Sequence, residues 1–203
     1  MKRFHVAAAV LALATMQPAI ADAKMKIYAM LAYVSPLAES DQTIGGVTDA
    51  VKASSEFGYN FGLEFRTGSL IGIELDYLYA QEDIEHDTAG LLGETTFQPI
   101  SGTINFHVPL GVIDLYGGPT AAYVNWGDLE VSGAGSQLPS GGGSIEIESD
   151  FAFGVSAGAD LAIGPRFAAT GGLRWLSVEA EAEGGDATAV DPLFARIGIA
   201  LLF

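Results

Sequence analysis

The chain has 203 residues, 25 of them acidic, 9 basic and none cysteine, for a formal charge of −16. These numbers exclude a disulfide-stapled scaffold and any thiolate site, and so acidic a chain makes a poor nucleic-acid partner. Its length suits one domain of ordinary size.

The start of the chain reads as a secretory signal. Lys2 and Arg3 precede an apolar run from Val6 to Met16, and the small-residue patterns Ala19-Ile20-Ala21 and Ala21-Asp22-Ala23 follow. That run is too short for a membrane-spanning helix, which takes roughly 20 residues. We expect a signal peptide over 1–21, cleaved after Ala21 or Ala23, and a single barrel domain over 22–203. The mature chain would keep 25 acids against 7 bases, a formal charge of −18 once Lys2 and Arg3 are gone.

Beyond the signal no stretch of useful length has helical periodicity. Eight segments rich in Phe, Tyr, Leu, Ile, Val and Gly alternate with period two, near 25–36, 55–67, 69–81, 95–108, 112–126, 149–163, 165–178 and 192–203. The three connections at one end are the tight turns Thr67-Gly68, Pro109-Leu110-Gly111 and Gly164-Pro165. The segments near 37–54, 82–94, 127–148 and 179–191 are long and polar, and 19 of the 25 acids lie in or beside them. "GAGSQLPSGGGS" falls in the third long segment with no helix after it, so it reads as a flexible linker rather than a phosphate-binding loop.

Each strand sorts into two faces. Phe57, Tyr59, Phe61, Leu63 and Phe65 oppose Gly58, Asn60, Gly62, Glu64 and Arg66, and Ile71, Ile73, Leu75, Tyr77 and Tyr79 oppose Leu70, Gly72, Glu74, Asp76 and Leu78. Mid-strand charges never join the bulky face. A soluble barrel or sandwich could bury that face, whereas a membrane barrel would turn it to lipid and enclose the small and charged one.

The aromatics decide for the membrane. On the bulky face Tyr33, Tyr77, Tyr79, Tyr123, Phe151, Phe153 and Trp175 fall toward the long-loop end, and Phe65, Phe106, Phe167 and Phe203 toward the short-turn end, as two interfacial girdles would. The mature chain also has only Lys24, Lys26 and Lys52 as lysines, few for a water-exposed sheet. The expected fold is all-β: an eight-stranded antiparallel up-and-down transmembrane β-barrel, in which the last strand closes on the first near Met25 to Pro36.

Glu64, Arg66, Glu74, Asp76, His107, Asp160, Arg174 and Arg196 should then point into the lumen. Unpaired buried charge is expensive, so acid–base pairs spanning the lumen are expected, with a permeation-gating constriction as the functional alternative. Catalysis is not expected: Ser101 and His107 share a face but lie roughly 20 Å apart along one strand. His86, among Glu82, Asp83, Glu85 and Asp87, matches no metal signature. We expect a solvated acidic loop there, with weak divalent-cation bridging to anionic lipopolysaccharide as its functional version. No metal and no cofactor is expected.

"TTFQPISGTINFHVPLGVIDLYGGPTAAYVNWGD" resembles the paired central strands of the OmpW family of small outer-membrane proteins, and "VDPLFARIGIALLF" is similar to that family's Asp-Pro opening and closing strand ending in Phe. The likeness covers most of the mature chain. The ending Ala-Leu-Leu-Phe departs from the family's more common Gly-Tyr-basic-Phe, which keeps a more general OmpA-like eight-stranded barrel in play. The resemblance implies a barrel in the Gram-negative outer membrane, set among lipid and lipopolysaccharide. It also implies a terminal Phe203 read by the barrel-assembly machinery and a role in passage of small hydrophobic solutes. The alternative is a structural or adhesive surface barrel with a sealed lumen and functional acidic loops. Pro99 and Pro119, expected within two residues of each other across one hairpin with Pro119 opposite about Ser101, are candidates for a lateral opening because neither can donate to the ladder. Both could instead sit where no hydrogen bond is lost.

Overall fold

The computed structural model describes residues 24–37, 40–44, 47–86, 90–131, 144–145, 147–180 and 188–203. The expected signal segment lies outside them. Eight long strands dominate: β1 (Met25–Ser35), β2 (Glu56–Arg66), β3 (Ile71–His86), β4 (Gly90–Leu110), β5 (Ile113–Trp126), β6 (Asp150–Ala162), β7 (Phe167–Ser177) and β8 (Leu193–Leu202). Each pairs antiparallel with its neighbours in the chain, and β1 also pairs with β8 from Lys26↔Leu202 to Ser35↔Leu193. The sheet is therefore a closed, eight-stranded up-and-down barrel. Closure leaves no unpaired edge, which is what hydrocarbon demands of backbone N–H and C=O groups. The chain end completes the seam: Phe203 N donates to Met25 O and Lys24 N to Phe203 O, both at 2.9 Å.

One end of the barrel is tightly turned. Gly111 and Val112 alone separate β4 from β5, and Gly68 and Gly111 have φ of 85° and 75°, left-handed conformations that a Cβ would strain. At the other end the strands outrun the expected boundaries. The segment expected as a loop near 82–94 is mostly strand, with Glu82↔Thr95 and Gln81↔Thr96 continuing the β3–β4 ladder. Ser40–Ile44 and Val47–Ala53 form a further hairpin against the top of β3. Along β3 the outward residues beyond Tyr79 are Gln81 and Asp83, and that polar composition concealed the strand.

Alternation puts the bulky residues outside. Phe57 and Ile197 are 73% and 70% exposed, whereas inward Val34 and Val124 are 1% and 0%. So much apolar surface suits acyl chains and not water. Along β3 the outward face runs Ile71, Ile73, Leu75, Tyr77, Tyr79 and then Gln81 and Asp83, so the apolar band ends at Tyr79. Rings cluster at that level, with Tyr33–Phe57 centroids 5.3 Å apart and Tyr123–Phe151 5.2 Å apart.

Candidate functional site: a lumen in tiers

Inward side chains fill the barrel in layers. Toward the short turns lies a first ionic group. Lys26 Nζ is 2.7 Å from Glu64 Oε2 and 3.0 Å from Asp160 Oδ2, and Arg66 reaches Glu64 Oε1 at 3.0 Å and Asp114 Oδ2 at 2.7 Å. The imidazole of His107 stands between two of these acids, Nε2 2.8 Å from Glu64 Oε1 and Nδ1 3.0 Å from Asp114 Oδ2. Nδ1 is hydrogen-bonded to Asp114, whereas Nε2 faces Glu64 without a hydrogen bond among the described residues. Lys26 and Arg66 thus face three carboxylates, Glu64, Asp114 and Asp160, with the His107 ring between two of them. The Tyr116 ring lies 4.2 Å from Lys26 Nζ and completes the packing.

A second ionic group lies across the lumen. Arg174 grips Asp76 with two hydrogen bonds of 2.8 and 2.7 Å and donates to Glu74 Oε1 at 2.9 Å. Arg196 donates to Asn60 Oδ1 at 3.1 Å and stands 3.8 Å from Glu74. Tyr28 and Asn105 each donate to Glu74 at 2.9 Å. The register explains why so many donors are needed. It sets Glu64 directly opposite Glu74 and Asp114 directly opposite Asp160, like charges that destabilise a sheet unless cations from other strands intervene.

Toward the long-loop end the chemistry changes. Val34, Leu78, Phe97, Val124, Leu176 and Phe194 are buried together inside the barrel. Phe97 packs on Trp126 with centroids 4.7 Å apart and stacks on Phe194 at 5.8 Å. This apolar storey was not expected from the sequence, which suggested a lumen of small and charged residues. The signal was present in Phe97, Trp126, Leu176 and Phe194, large residues on the face opposite the lipid-facing one near the long-loop ends of their strands.

A family model described as "Outer membrane protein beta-barrel domain" matches residues 6–191. The chain belongs to that family. Solved structures share the fold of this outer-membrane barrel. Outer membrane protein OprG of Pseudomonas aeruginosa superposes with a TM-score of 0.74 at 16% identity, over 89% of this chain and 96% of that one. Neisserial surface protein A (NspA) gives 0.62 at 13% identity, over 89% and 97%. Outer membrane protein AlkL, solved in DMPC bilayers, gives 0.62 at 15% identity, over 89% and 90%. No curated protein matches the chain in sequence. The outer-membrane barrel is thus of the small OmpW- or OmpA-like kind, sited in the Gram-negative outer membrane. In such barrels the short turns are periplasmic and the long segments extracellular.

The structure places Glu64, Arg66, Glu74, Asp76, His107, Asp160, Arg174 and Arg196 inside this barrel, each at most 6% exposed. Sequence reasoning missed Lys26 and Asp114 as members of the network. Lys26 stands at the very start of β1 and Asp114 one residue into β5, where charges ordinarily reach water. Ser101 and His107 are both inward, but the His107 nitrogens face Glu64 and Asp114, so no nucleophile–base pair forms between them. The His86 side chain lies outside the described residues, and among the described residues no group of three or more His, Asp or Glu could hold a metal.

The prolines are farther apart than expected. Ser101 pairs with Ala122, and Pro119 falls between the pairs Thr103↔Thr120 and Phe106↔Gly117, so it lies beside Ile104. The reason is the turn: Gly111, not Leu110, takes the left-handed conformation, which moves the centre of the hairpin toward β5. Pro99 points inward and keeps its pair with Val124, while Pro119 points outward beside the two missing ladder pairs of Ile104 and Asn105.

Proposed function

We propose that this barrel takes small hydrophobic molecules from the extracellular side into its upper lumen and releases them sideways into the outer membrane. The carrying observation is the division of the lumen: an apolar storey around Phe97, Trp126 and Phe194 over two ionic groups that fill the section below. An apolar solute gains by entering the storey and is repelled by the floor, where passage would require separating buried ion pairs. The floor also blocks ions, so the protein acts without general porin conductance.

The exit we assign lies beside Pro99 at the level of the storey, where the β3–β4 ladder lapses between Tyr77↔Ile100 and Ala80↔Phe97 and Pro99 has no N–H to offer. Pro119 makes a second gap, in the β4–β5 ladder beside Ile104, at the level of the ionic floor. Vesicles carrying the refolded protein should accumulate a fluorescent hydrophobic probe in the bilayer faster than empty ones and show no discrete conductance. Replacing Pro99 and Pro119 together by alanine should slow that accumulation. An unchanged rate would remove the lateral route, and a steady ionic current would remove the sealed floor.

A second reading rests on the crowding of 19 of the 25 acids at the extracellular end. In that reading the barrel is a sealed surface scaffold whose acidic segments bind partners, including lipopolysaccharide through bridging divalent cations. Probe accumulation equal to that of empty vesicles would favour it. In either case the exposed terminal Phe203, held against Met25 at the barrel seam, serves as the signal for the assembly machinery.

A further inference from the structure

Glu82 is the inward residue of β3 one step above Ala80, beyond Tyr79 where the apolar outer band ends. Its carboxylate is 2% exposed, yet neither oxygen has a hydrogen-bond partner among the described residues. Among the described residues, its closest ionic neighbours make matters worse. The β2–β3 register, whose last pair is Gly58↔Ala80, brings Glu56 beside Glu82 at the next inward step, and Asp83 follows on the same strand. Directly beneath lies the apolar storey, whose Phe97 pairs with Ala80 and stacks on Trp126. The indole Nε1 of Trp126 is also buried without an acceptor among the described residues.

Nothing in folding calls for this arrangement. A buried carboxylate with no donor costs stability, and a second carboxylate beside it adds to the cost. A bound group that donates several hydrogen bonds and carries positive charge would answer both. An ammonium does so from a single nitrogen, whereas a metal ion needs more ligands than the two acids supply. The side chains directly below, Phe97, Trp126 and Phe194, are apolar and in mutual contact, so an alkyl chain would enter by parting these rings. We propose that Glu82 and Glu56 form a recognition site for the protonated amine head of a cationic amphiphile, whose tail enters the storey above the ionic floor. This rests on the apolar-uptake reading and names the class of molecule preferred. Burial, with Glu56 and Asp83 nearby, pushes the Glu82 carboxyl up to about 8, so Glu82 holds a proton at neutral pH that an ammonium would displace.

The test uses the full-length mature barrel in lipid nanodiscs, with protein-free nanodiscs as background and two water-soluble probes of equal chain length, octylammonium and 1-octanol. Titration followed by tryptophan fluorescence and by calorimetry should show octylammonium binding about tenfold more tightly than octanol, about 1.4 kcal/mol. Its heat at pH 7 should differ between phosphate and Tris buffers because a proton is released. Glu82→Gln should bring octylammonium to the octanol affinity and abolish the buffer dependence. Asp83→Asn, which removes the same charge from an outward neighbour, should keep both. Equal affinities in the native barrel, or a preference that survives in E82Q, would overturn the amine site while leaving apolar uptake standing. Binding of neither probe would bring down both readings.

Discussion

Arg174 and Asp76 are joined by two parallel hydrogen bonds, Nη1 to Oδ1 at 2.8 Å and Nη2 to Oδ2 at 2.7 Å, although 98 residues separate them and their strands lie on opposite sides of the barrel. The pair ties β3 to β7 through the lumen rather than through the sheet. Arg174→Met would leave Asp76 and Glu74 with neutral donors, Asn60, Tyr28 and Asn105, and with only the longer ionic contacts to Arg196. We expect it to cost about 3–5 kcal/mol, measured as a lower urea midpoint in vesicles, and to admit a cation leak in planar bilayers. A tight, stable variant would show that Arg174 is not the keystone of the floor.

Lys26 serves two acids at once, and its removal should be felt through both. Lys26→Met alone should destabilise by about 3–5 kcal/mol because Glu64 and Asp160 keep their charge without it. Adding Asp160→Asn should recover part of that loss, a coupling of about 0.5–3 kcal/mol in a double-mutant cycle. Strictly additive effects would mean that Arg66, 3.7 Å from Asp160, carries that acid by itself.

Gly158 makes room for an aromatic ring. A Cβ there would lie 2.6 Å from Tyr116 Cζ, displacing the ring that covers Lys26 and bonds Thr170 at 3.2 Å. Gly158→Ala should therefore cost about 1–3 kcal/mol, seen as a drop in the temperature at which the folded band on unboiled gels disappears.

Glu82 also sets a pH dependence. Its carboxyl, raised from 4.5 to about 8 mainly by burial and then by Glu56 and Asp83, holds its proton more tightly in the folded barrel than in the unfolded chain. Its contribution is thus most favourable below about pH 4.5, is lost progressively as pH rises, and is least favourable above about pH 8. Relative to E82Q, the native barrel should lose stability across that window in urea titrations. A pH-independent difference between the two would show that Glu82 is solvated.

Local chemistry was enough to specify the barrel. Side chains alternate along any strand, so the bulky and charged faces could be read residue by residue, and lipid tolerates no ionised group on its side, so Glu64, Asp76, Arg174 and Arg196 had to be inward. The girdles, the tight turns and the closing strand followed from the same one-dimensional pattern. Register and partners are different in kind. Whether Pro119 lies beside Ser101 or Ile104 depends on which turn residue takes a left-handed φ, and Arg174 meets Asp76 only because closure brings distant strands face to face across a narrow lumen. The same holds for Lys26, Asp114 and Glu82, which stand near strand ends or beyond the apolar band, where a sequence shows only charge. Extension of the strands past the membrane and curvature around the lumen turned those charges inward, and only the tertiary structure decides that.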